Sequence, residues 1–153
     1  MIRPGMRAPD FSAVTTSGST FSLAAQIGKV VVLFFFPKAF TPGCSREASQ
    51  FARSWEEFQT MGAEVIGIST DNHQTQCDFA TELKLPFALI ADTGAKISDL
   101  YGATWPMIDI ARRITFVIAP SGTVLNVFKH EILVGKHLSD TQAAVKKLRA
   151  GGG

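Results

Sequence analysis

The sequence predicts an α/β fold in which a central mixed β-sheet is flanked by helices and preceded by a β-hairpin. First, residues 30–36 form an unbroken apolar run, rich in β-branched and aromatic types, which is typical of a strand buried on both faces. Second, the segments that follow alternate between strand-like and helix-like spacing, as in βαβ units with parallel strands. Third, two strand-like segments near the end flank Pro120-Ser121-Gly122, which predicts an antiparallel hairpin.

The individual elements can be assigned in chain order from turn and cap signals. Ser17-Gly18 predicts an N-terminal hairpin between residues 11–15 and 20–23, and residues 26–29 connect it to the central strand. Pro37 ends that strand because it lacks the N–H that the ladder needs. The later elements are a strand at 64–69, a helix capped by Asp71 or Asn72 and closed by Pro86, a strand at 87–91, a short helix at 96–101, a loop at 102–110, strands at 114–118 and 123–129, and a last helix from Ser139 or Asp140 to near Arg149.

The helix after the central strand carries a cysteine in its first turn. Thr41 fits the N-cap, Pro42 the first helical position, and Cys44 the third. The first N–H groups of a helix have no intrahelical acceptors and carry a partial positive charge, so a sulfur placed there is stabilised as the reactive thiolate. An apolar stripe continues this helix to Gly62, a predicted C-cap; its members are Ala48, Phe51, Ala52, Trp55 and Phe58.

Length and composition restrict the class of protein. The 153 residues, 46% of them hydrophobic and 18% charged, predict one domain over 1–153, with the three glycines 151–153 as a disordered tail. The net charge is only +2 and the basic cluster near Lys146 is interpreted as a solvated helix face, so we expect no nucleic-acid partner. The N-terminus has no apolar leader, and the chain has two cysteines. We therefore expect a cytoplasmic, monomeric protein that does not contact a membrane.

The segment around the cysteine resembles a known signature. PKAFTPGC, residues 37–44, is similar to the Pro-x-x-x-Thr-x-x-Cys motif of the peroxiredoxins, thiol peroxidases on a thioredoxin-like fold. The longer FFFPKAFTPGCSREASQF resembles the subgroup called peroxiredoxin Q or bacterioferritin comigratory protein. Three more segments lie where that family has comparable ones, so that the resemblance covers roughly residues 4–148: GMRAPDFSAVTTSGSTFSL, LPFALIAD and RRITFVIAPSG.

The resemblance implies roles for most of the site residues. Cys44 would be the nucleophile that attacks a hydroperoxide, and Thr41 would hold the peroxide oxygens. Arg113 would support the thiolate and bind the substrate, whereas its neighbour Arg112 would point to the opposite side if the strand has already begun at these positions. Three further residues complete the predicted site: Pro37 shields the thiolate, the backbone N–H groups of Gly43 and Cys44 face the peroxide, and Glu47 pairs with arginine behind them.

Cys77 decides which catalytic cycle is expected. Many relatives carry a resolving cysteine five residues after the first, and Ser49 occupies that position here. Other relatives place it on the next helix, where Cys77 lies about one turn from the position that the resemblance predicts. On a helical wheel Cys77 falls about 110° from the centre of the face formed by Phe79, Ala80 and Leu83, at an accessible edge. We therefore favour a resolving role for Cys77, with a bystander as the alternative.

The leading hypothesis is a peroxidase that reduces hydrogen peroxide and organic hydroperoxides. Its sulfenic acid would be resolved as a Cys44–Cys77 disulfide and reduced by thioredoxin or a similar protein. The alternatives are a one-cysteine peroxiredoxin reduced by an external thiol and a non-enzymatic redox sensor or chaperone. A disulfide oxidoreductase is disfavoured because Cys-x-x-Cys is missing. No Cys/His spacing resembles a zinc site and no nucleotide fingerprint is present, so neither a metal nor a cofactor is expected.

Overall fold

The computed structural model of the chain describes residues 2–105, 107–129 and 140–147. Strands and helices alternate through its middle, as expected from the sequence. The strands are β1 (Ser12–Val14), β2 (Thr20–Ser22), β3 (Val30–Phe35), β4 (Ala63–Ser69), β5 (Leu89–Ala91), β6 (Ile114–Ile118) and β7 (Val124–Lys129). The α-helices are α1 (Pro42–Arg53), α2 (Trp55–Thr60), α3 (His73–Glu82) and α4 (Lys96–Leu100), with a 3-10 turn at Ala24–Gln26 and a further helical segment at 140–147.

Five strands form the central mixed sheet in the order β5-β4-β3-β6-β7. β3 pairs in parallel with β4, and β4 with β5, whereas β6 runs antiparallel to both β3 and β7. β1 and β2 form a separate antiparallel hairpin. The predicted fold class is therefore confirmed. The predicted tail 151–153, the helix-start candidate Ser139 and the predicted helix end near Arg149 lie outside the described residues.

The central strand β3 is buried on both faces, as its composition predicted. Alternate residues Val31, Leu33 and Phe35 pack into one hydrophobic cluster with the N-terminal hairpin and Tyr101. The residues between them pack into a second cluster with α1, α2 and α3, and that cluster also contains Cys44. This alternation is the period of two that a strand imposes on its side chains.

The predicted single helix after β3 is wrong, because two helices form. Ser54 adopts φ −97° and ψ 5°, and its N–H is shared between the carbonyls of Gln50 and Phe51, so α1 ends there and α2 starts at Trp55. The Phe51 and Phe58 rings stack across the break at 5.8 Å, which keeps the apolar stripe continuous. Gly62 follows α2 with φ 72°, a left-handed conformation that glycine adopts without strain.

The predicted strand at 87–91 is also too long, since β5 begins at Leu89. No helix in the described part of the chain has the length and hydropathy to cross a membrane. Within the same residues, no group of three or more His, Cys, Asp or Glu side chains could hold a metal ion.

Candidate active site

The site lies where β3 ends and α1 begins. Cys44 is at the third position of α1 and only 1% exposed, against the second hydrophobic cluster. The first intrahelical hydrogen bond runs from the Ser45 N–H to the Thr41 carbonyl, so the N–H groups of Gly43 and Cys44 precede the bonded part of the helix. A buried sulfur therefore faces the positive end of a twelve-residue helix.

Arg113 brings a cation to this sulfur. Its Nη2 donates to Cys44 Sγ at 3.5 Å, and its Nη1 donates to Glu47 Oε1 at 2.7 Å. Both partners of the ion pair are buried, with side-chain exposures of 7% for Arg113 and 1% for Glu47. Burial opposes the charge of the Arg113 guanidinium, but attraction to Glu47 and to the Cys44 sulfur outweighs it and raises the pKa of Arg113. The same attraction stabilises negative charge on the sulfur.

The neighbouring Arg112 contacts an aromatic ring. Its guanidinium stacks over the Trp105 ring, 4.8 Å from the ring centroid. β6 begins only at Ile114, so both arginines occupy the approach to the strand rather than the strand itself. The structure therefore brings Arg113, and not Arg112, together with Cys44 and Glu47.

Thr41 is at the N-cap position of α1, but its side chain does not cap the helix. Its hydroxyl donates to the Lys38 carbonyl at 2.7 Å, within the loop that connects β3 to α1. The predicted N-cap position of Thr41 is therefore confirmed, but its hydroxyl donates to a loop carbonyl and accepts no hydrogen bond from the helix N–H groups. The hydroxyl lone pairs stay available as acceptors. Pro37 lies half-buried at the start of the same loop.

Asp71 holds that loop and was missed as a site residue. One of its carboxylate oxygens, Oδ2, accepts from the Ala39 N–H at 2.7 Å and from the Ser69 hydroxyl at 2.6 Å. The sequence offered Asp71 or Asn72 as the cap of α3, and the structure uses Asn72, whose side chain accepts from the Thr75 N–H. The sequence does contain a signal for this role of Asp71. Asp71 follows the end of β4, and the carboxyl ends of parallel neighbours such as β3 and β4 lie at the same edge of the sheet.

Gly43 has a steric reason to be glycine. A Cβ added there would lie 3.0 Å from Arg113 Nη2, closer than such contacts normally come. The guanidinium cannot move away freely because Glu47 holds it at the other nitrogen. The small residue thus lets the cation approach the helix start.

We expect Gly43→Ala to lower the rate of peroxide reduction roughly tenfold or more, because a small displacement of Arg113 misaligns it with the sulfur. Stopped-flow measurement of the reaction with hydrogen peroxide tests this. Ser45→Ala, another small substitution in the same helical turn, is the matched control. A Gly43→Ala variant with the wild-type rate would show that the guanidinium position is not critical.

Cys77 lies on α3 and is half-buried, away from these contacts. The two cysteines are not joined by a disulfide. Cys77 borders a pocket of about 430 Å³ beside the turn of the N-terminal hairpin, and Cys44, Glu47 and Arg113 are not among the described residues that line it. One lining residue, Phe87, belongs to the same hydrophobic cluster as Cys44. α3 nevertheless touches the loop before α1, because the Phe40 and Phe79 rings lie 5.2 Å apart. Phe40 has φ 66°, a strained conformation for a non-glycine residue.

Fold and site together define a thioredoxin-like α/β protein with a buried cysteine paired to an arginine, and comparisons with known proteins identify the family. The AhpC/TSA family model matches residues 4–127. Peroxiredoxin Q of Arabidopsis thaliana, a chloroplastic protein, is 36% identical over 152 residues, covering 95% of this chain and 68% of the relative.

Solved structures give the same assignment. Peroxidoxin BcpB from Mycobacterium tuberculosis superposes with a TM-score of 0.89 at 29% identity, covering 97% of this chain and 99% of that one. The bacterioferritin comigratory protein of Xanthomonas campestris, solved as trapped intermediate/ligand complexes in connection with its alkyl peroxide reduction activity, has a TM-score of 0.84 at 25% identity, covering 91% and 92%. The chain therefore belongs to the AhpC/TSA family of peroxiredoxins. It is a thiol-dependent peroxidase, an oxidoreductase, similar to the peroxiredoxin Q proteins. The family implies a hydroperoxide substrate and a thiol reductant.

Proposed function

We propose that Cys44 is the nucleophile of this peroxidase. Its thiolate attacks the terminal oxygen of a hydroperoxide and the O–O bond breaks. One oxygen stays on sulfur as sulfenic acid, and the other leaves as water or an alcohol after taking up a proton. The observation that carries the proposal is the contact of Arg113 Nη2 with the buried Cys44 sulfur at 3.5 Å.

The groups around the sulfur are suited to hold the peroxide. The Thr41 hydroxyl donates its hydrogen bond to the Lys38 carbonyl, so its oxygen can accept a hydrogen bond from the O–H group of the substrate. The N–H groups of Gly43 and Cys44, together with Arg113, can donate to the oxygen on which negative charge develops. Pro37, half-buried beside this loop, would limit the access of water to the thiolate.

We infer that both hydrogen peroxide and organic hydroperoxides are substrates. Phe40, directly before Thr41, is 51% exposed and offers an apolar surface at the entrance to the site. The X. campestris relative is associated with alkyl peroxide reduction, which supports the organic class. The alkyl group would contact this surface while the peroxide oxygens reach the helix start.

Resolution by Cys77 follows as the second step of the proposed cycle. The Cys77 sulfur attacks the Cys44 sulfenic sulfur, a disulfide forms and water leaves. A disulfide requires Cα atoms roughly 4.4–6.8 Å apart, whereas Cys44 is buried at the start of α1 and Cys77 faces a separate pocket. The first turn of α1 must therefore unwind and α3 must shift or loosen. The contact of Phe40 with Phe79 would couple these two movements.

The proposed reductant is thioredoxin or a protein like it. Its thiolate would attack the Cys44–Cys77 disulfide, form a mixed disulfide and be displaced by its second thiol, which returns both cysteines to the reduced state. The monomeric state, the single domain and the cytoplasmic location stay predictions, and the plant relative at 36% identity is named chloroplastic.

A one-cysteine cycle is the second candidate, and the separate pocket of Cys77 favours it. In that cycle an external thiol attacks the Cys44 sulfenic acid directly. Because the chain is a peroxidase, the sensor hypothesis is no longer required to explain the reactive cysteine.

The mass of the protein after one equivalent of hydrogen peroxide distinguishes the two cycles. We expect the loss of two hydrogens, which indicates a disulfide, together with reduced amide protection in the first turn of α1. Cys77→Ser should instead gain one oxygen and cycle poorly with thioredoxin. A wild-type protein that gains one oxygen and keeps it, or a Cys77→Ser variant that cycles rapidly, would exclude Cys77 as the resolving residue.

A further inference from the structure

His73 lies against the sulfur of Cys77. Its Nε2 is 3.4 Å from Cys77 Sγ, within hydrogen-bonding distance for sulfur. The two residues are four apart on α3, the spacing at which side chains meet on one helix face. The sequence contains this His-x-x-x-Cys spacing, but the spacing does not match a metal site and by itself predicts no role for the histidine.

The surroundings leave His73 as the group that can exchange a proton with this thiol. Lys84 is the one titratable residue besides Cys77 among the described residues that line the pocket; the hairpin turn contributes Thr16 and Ser17, and the segment after α3 contributes apolar side chains. His73 does not line the pocket and contacts the Cys77 sulfur from the preceding turn of α3. Asp78, next in sequence, accepts from the Gln74 side chain at 2.8 Å on an adjacent face. An imidazole nitrogen both accepts and releases protons near neutral pH, which neither lysine nor a serine hydroxyl does.

We propose that His73 is the general base that activates Cys77, an inference that rests on the resolving role of Cys77 proposed above. His73 Nε2 takes the proton of the Cys77 thiol, and the thiolate attacks the sulfur of the Cys44 sulfenic acid. The S–S bond forms as the S–O bond breaks, and the leaving hydroxide takes the proton back from the imidazolium to give water. The step needs no oxidant beyond the peroxide already consumed.

The inference also limits how α3 moves. The contact between His73 and Cys77 exists only while the first two turns of α3 are helical, because it depends on the i, i+4 spacing. The pair therefore approaches Cys44 with this part of the helix intact, and unwinding is concentrated in α1.

Alkylation of Cys77 tests the proton transfer separately from the peroxidase cycle. In a Cys44→Ser background, only Cys77 reacts with iodoacetamide. We expect His73→Gln to slow this reaction roughly threefold to tenfold at neutral pH and to have no effect near about pH 10, where thiols ionise without a base. Gln74→Ala, on the same turn and paired with Asp78, is the matched control. Equal alkylation of the His73→Gln and parent proteins across this pH range would overturn the proposal.

Disulfide formation in the full cycle is the second readout. With Cys44 intact and one equivalent of hydrogen peroxide, the pH profile of disulfide formation should shift to higher pH in His73→Gln, with Cys44 oxidation in the same experiment as the internal reference. If wild type forms no Cys44–Cys77 disulfide, the resolving role itself fails. If it forms one with the same pH profile in both proteins, only the role of His73 fails. His73 is exposed at the first position of α3, and thermal unfolding, with His73→Asn as a second variant, checks that the fold is kept.

Discussion

The Cys44→Ser variant is expected to consume no hydroperoxide with any reductant. A serine hydroxyl in the same position is a far weaker nucleophile than a thiolate and cannot form the sulfenic acid through which the cycle runs. The substitution changes one atom of a buried side chain, so the fold should persist. Peroxide consumption in a thioredoxin-coupled assay, with thermal unfolding measured on the same sample, tests this expectation.

Cys77→Ser is the matched control for Cys44→Ser. Cys77 is the other cysteine of the chain, lies in a separate pocket and is half-buried, so its substitution should leave a single turnover with peroxide intact. Turnover near the wild-type level in Cys44→Ser would disprove the assignment of the nucleophile. Loss of the first turnover in both variants would mean that the two sulfurs cooperate before resolution, which the present geometry does not predict.

Replacement of Arg113 should cause the second largest loss. We expect Arg113→Ala to slow sulfenic acid formation roughly 10²- to 10³-fold, because the variant loses both the cation at the sulfur and a donor for the developing oxyanion. Arg113→Lys keeps the charge but not the two-pronged geometry that contacts Cys44 and Glu47 together, so it should recover only part of the rate. Stopped-flow kinetics of the reduced proteins with hydrogen peroxide measure this step directly.

In this experiment a loss of folding stability in the Arg113 variants must be distinguished from a loss of the reaction rate. Glu47 is 1% exposed, and removing its cation leaves a buried carboxylate that costs about 3–5 kcal/mol. A double variant, Arg113→Met with Glu47→Gln, removes both charges and avoids that cost. Arg112→Ala is the control at the neighbouring position, since Arg112 stacks on Trp105 instead. A larger loss from Arg112→Ala than from Arg113→Ala would contradict the site geometry.

Local sequence patterns were sufficient to predict the buried strand β3 and the position of the cysteine at the start of α1. Burial of β3 on both faces follows from an apolar run that is too short for a helix. The position of Cys44 in the first turn follows from its neighbours in the sequence. These are a proline after the strand, a threonine at the N-cap position and a second proline at the first helical position. Such patterns connect residues only a few positions apart, and these features depend on nothing else.

The tertiary structure decided what depends on residues far apart in the chain. Glu47 and Arg113 are 66 positions apart, and only the antiparallel pairing of β6 with β3 brings the arginine to the helix start. The same closeness gives Gly43 its steric reason to lack a Cβ. The break at Ser54 was likewise not predicted from the sequence, because a continuous apolar stripe fits one helix as well as it fits two helices that pack on the same core.

The sequence by itself therefore determined the class of fold and the position of the cysteine at the helix start, whereas the residues around the sulfur were expected from the family resemblance, and Asp71 was not among them. What only the tertiary structure decided is their geometry: the Arg113 guanidinium between Glu47 and the Cys44 sulfur, the Asp71 carboxylate on the Ala39 N–H, and the position of Cys77 at a pocket that Cys44 does not line. The physical reason is that a hydrogen bond or ion pair is fixed within a few tenths of an ångström by packing from several elements at once. Sequence spacing states which residues share an element, and the packed core sets the distances between their atoms.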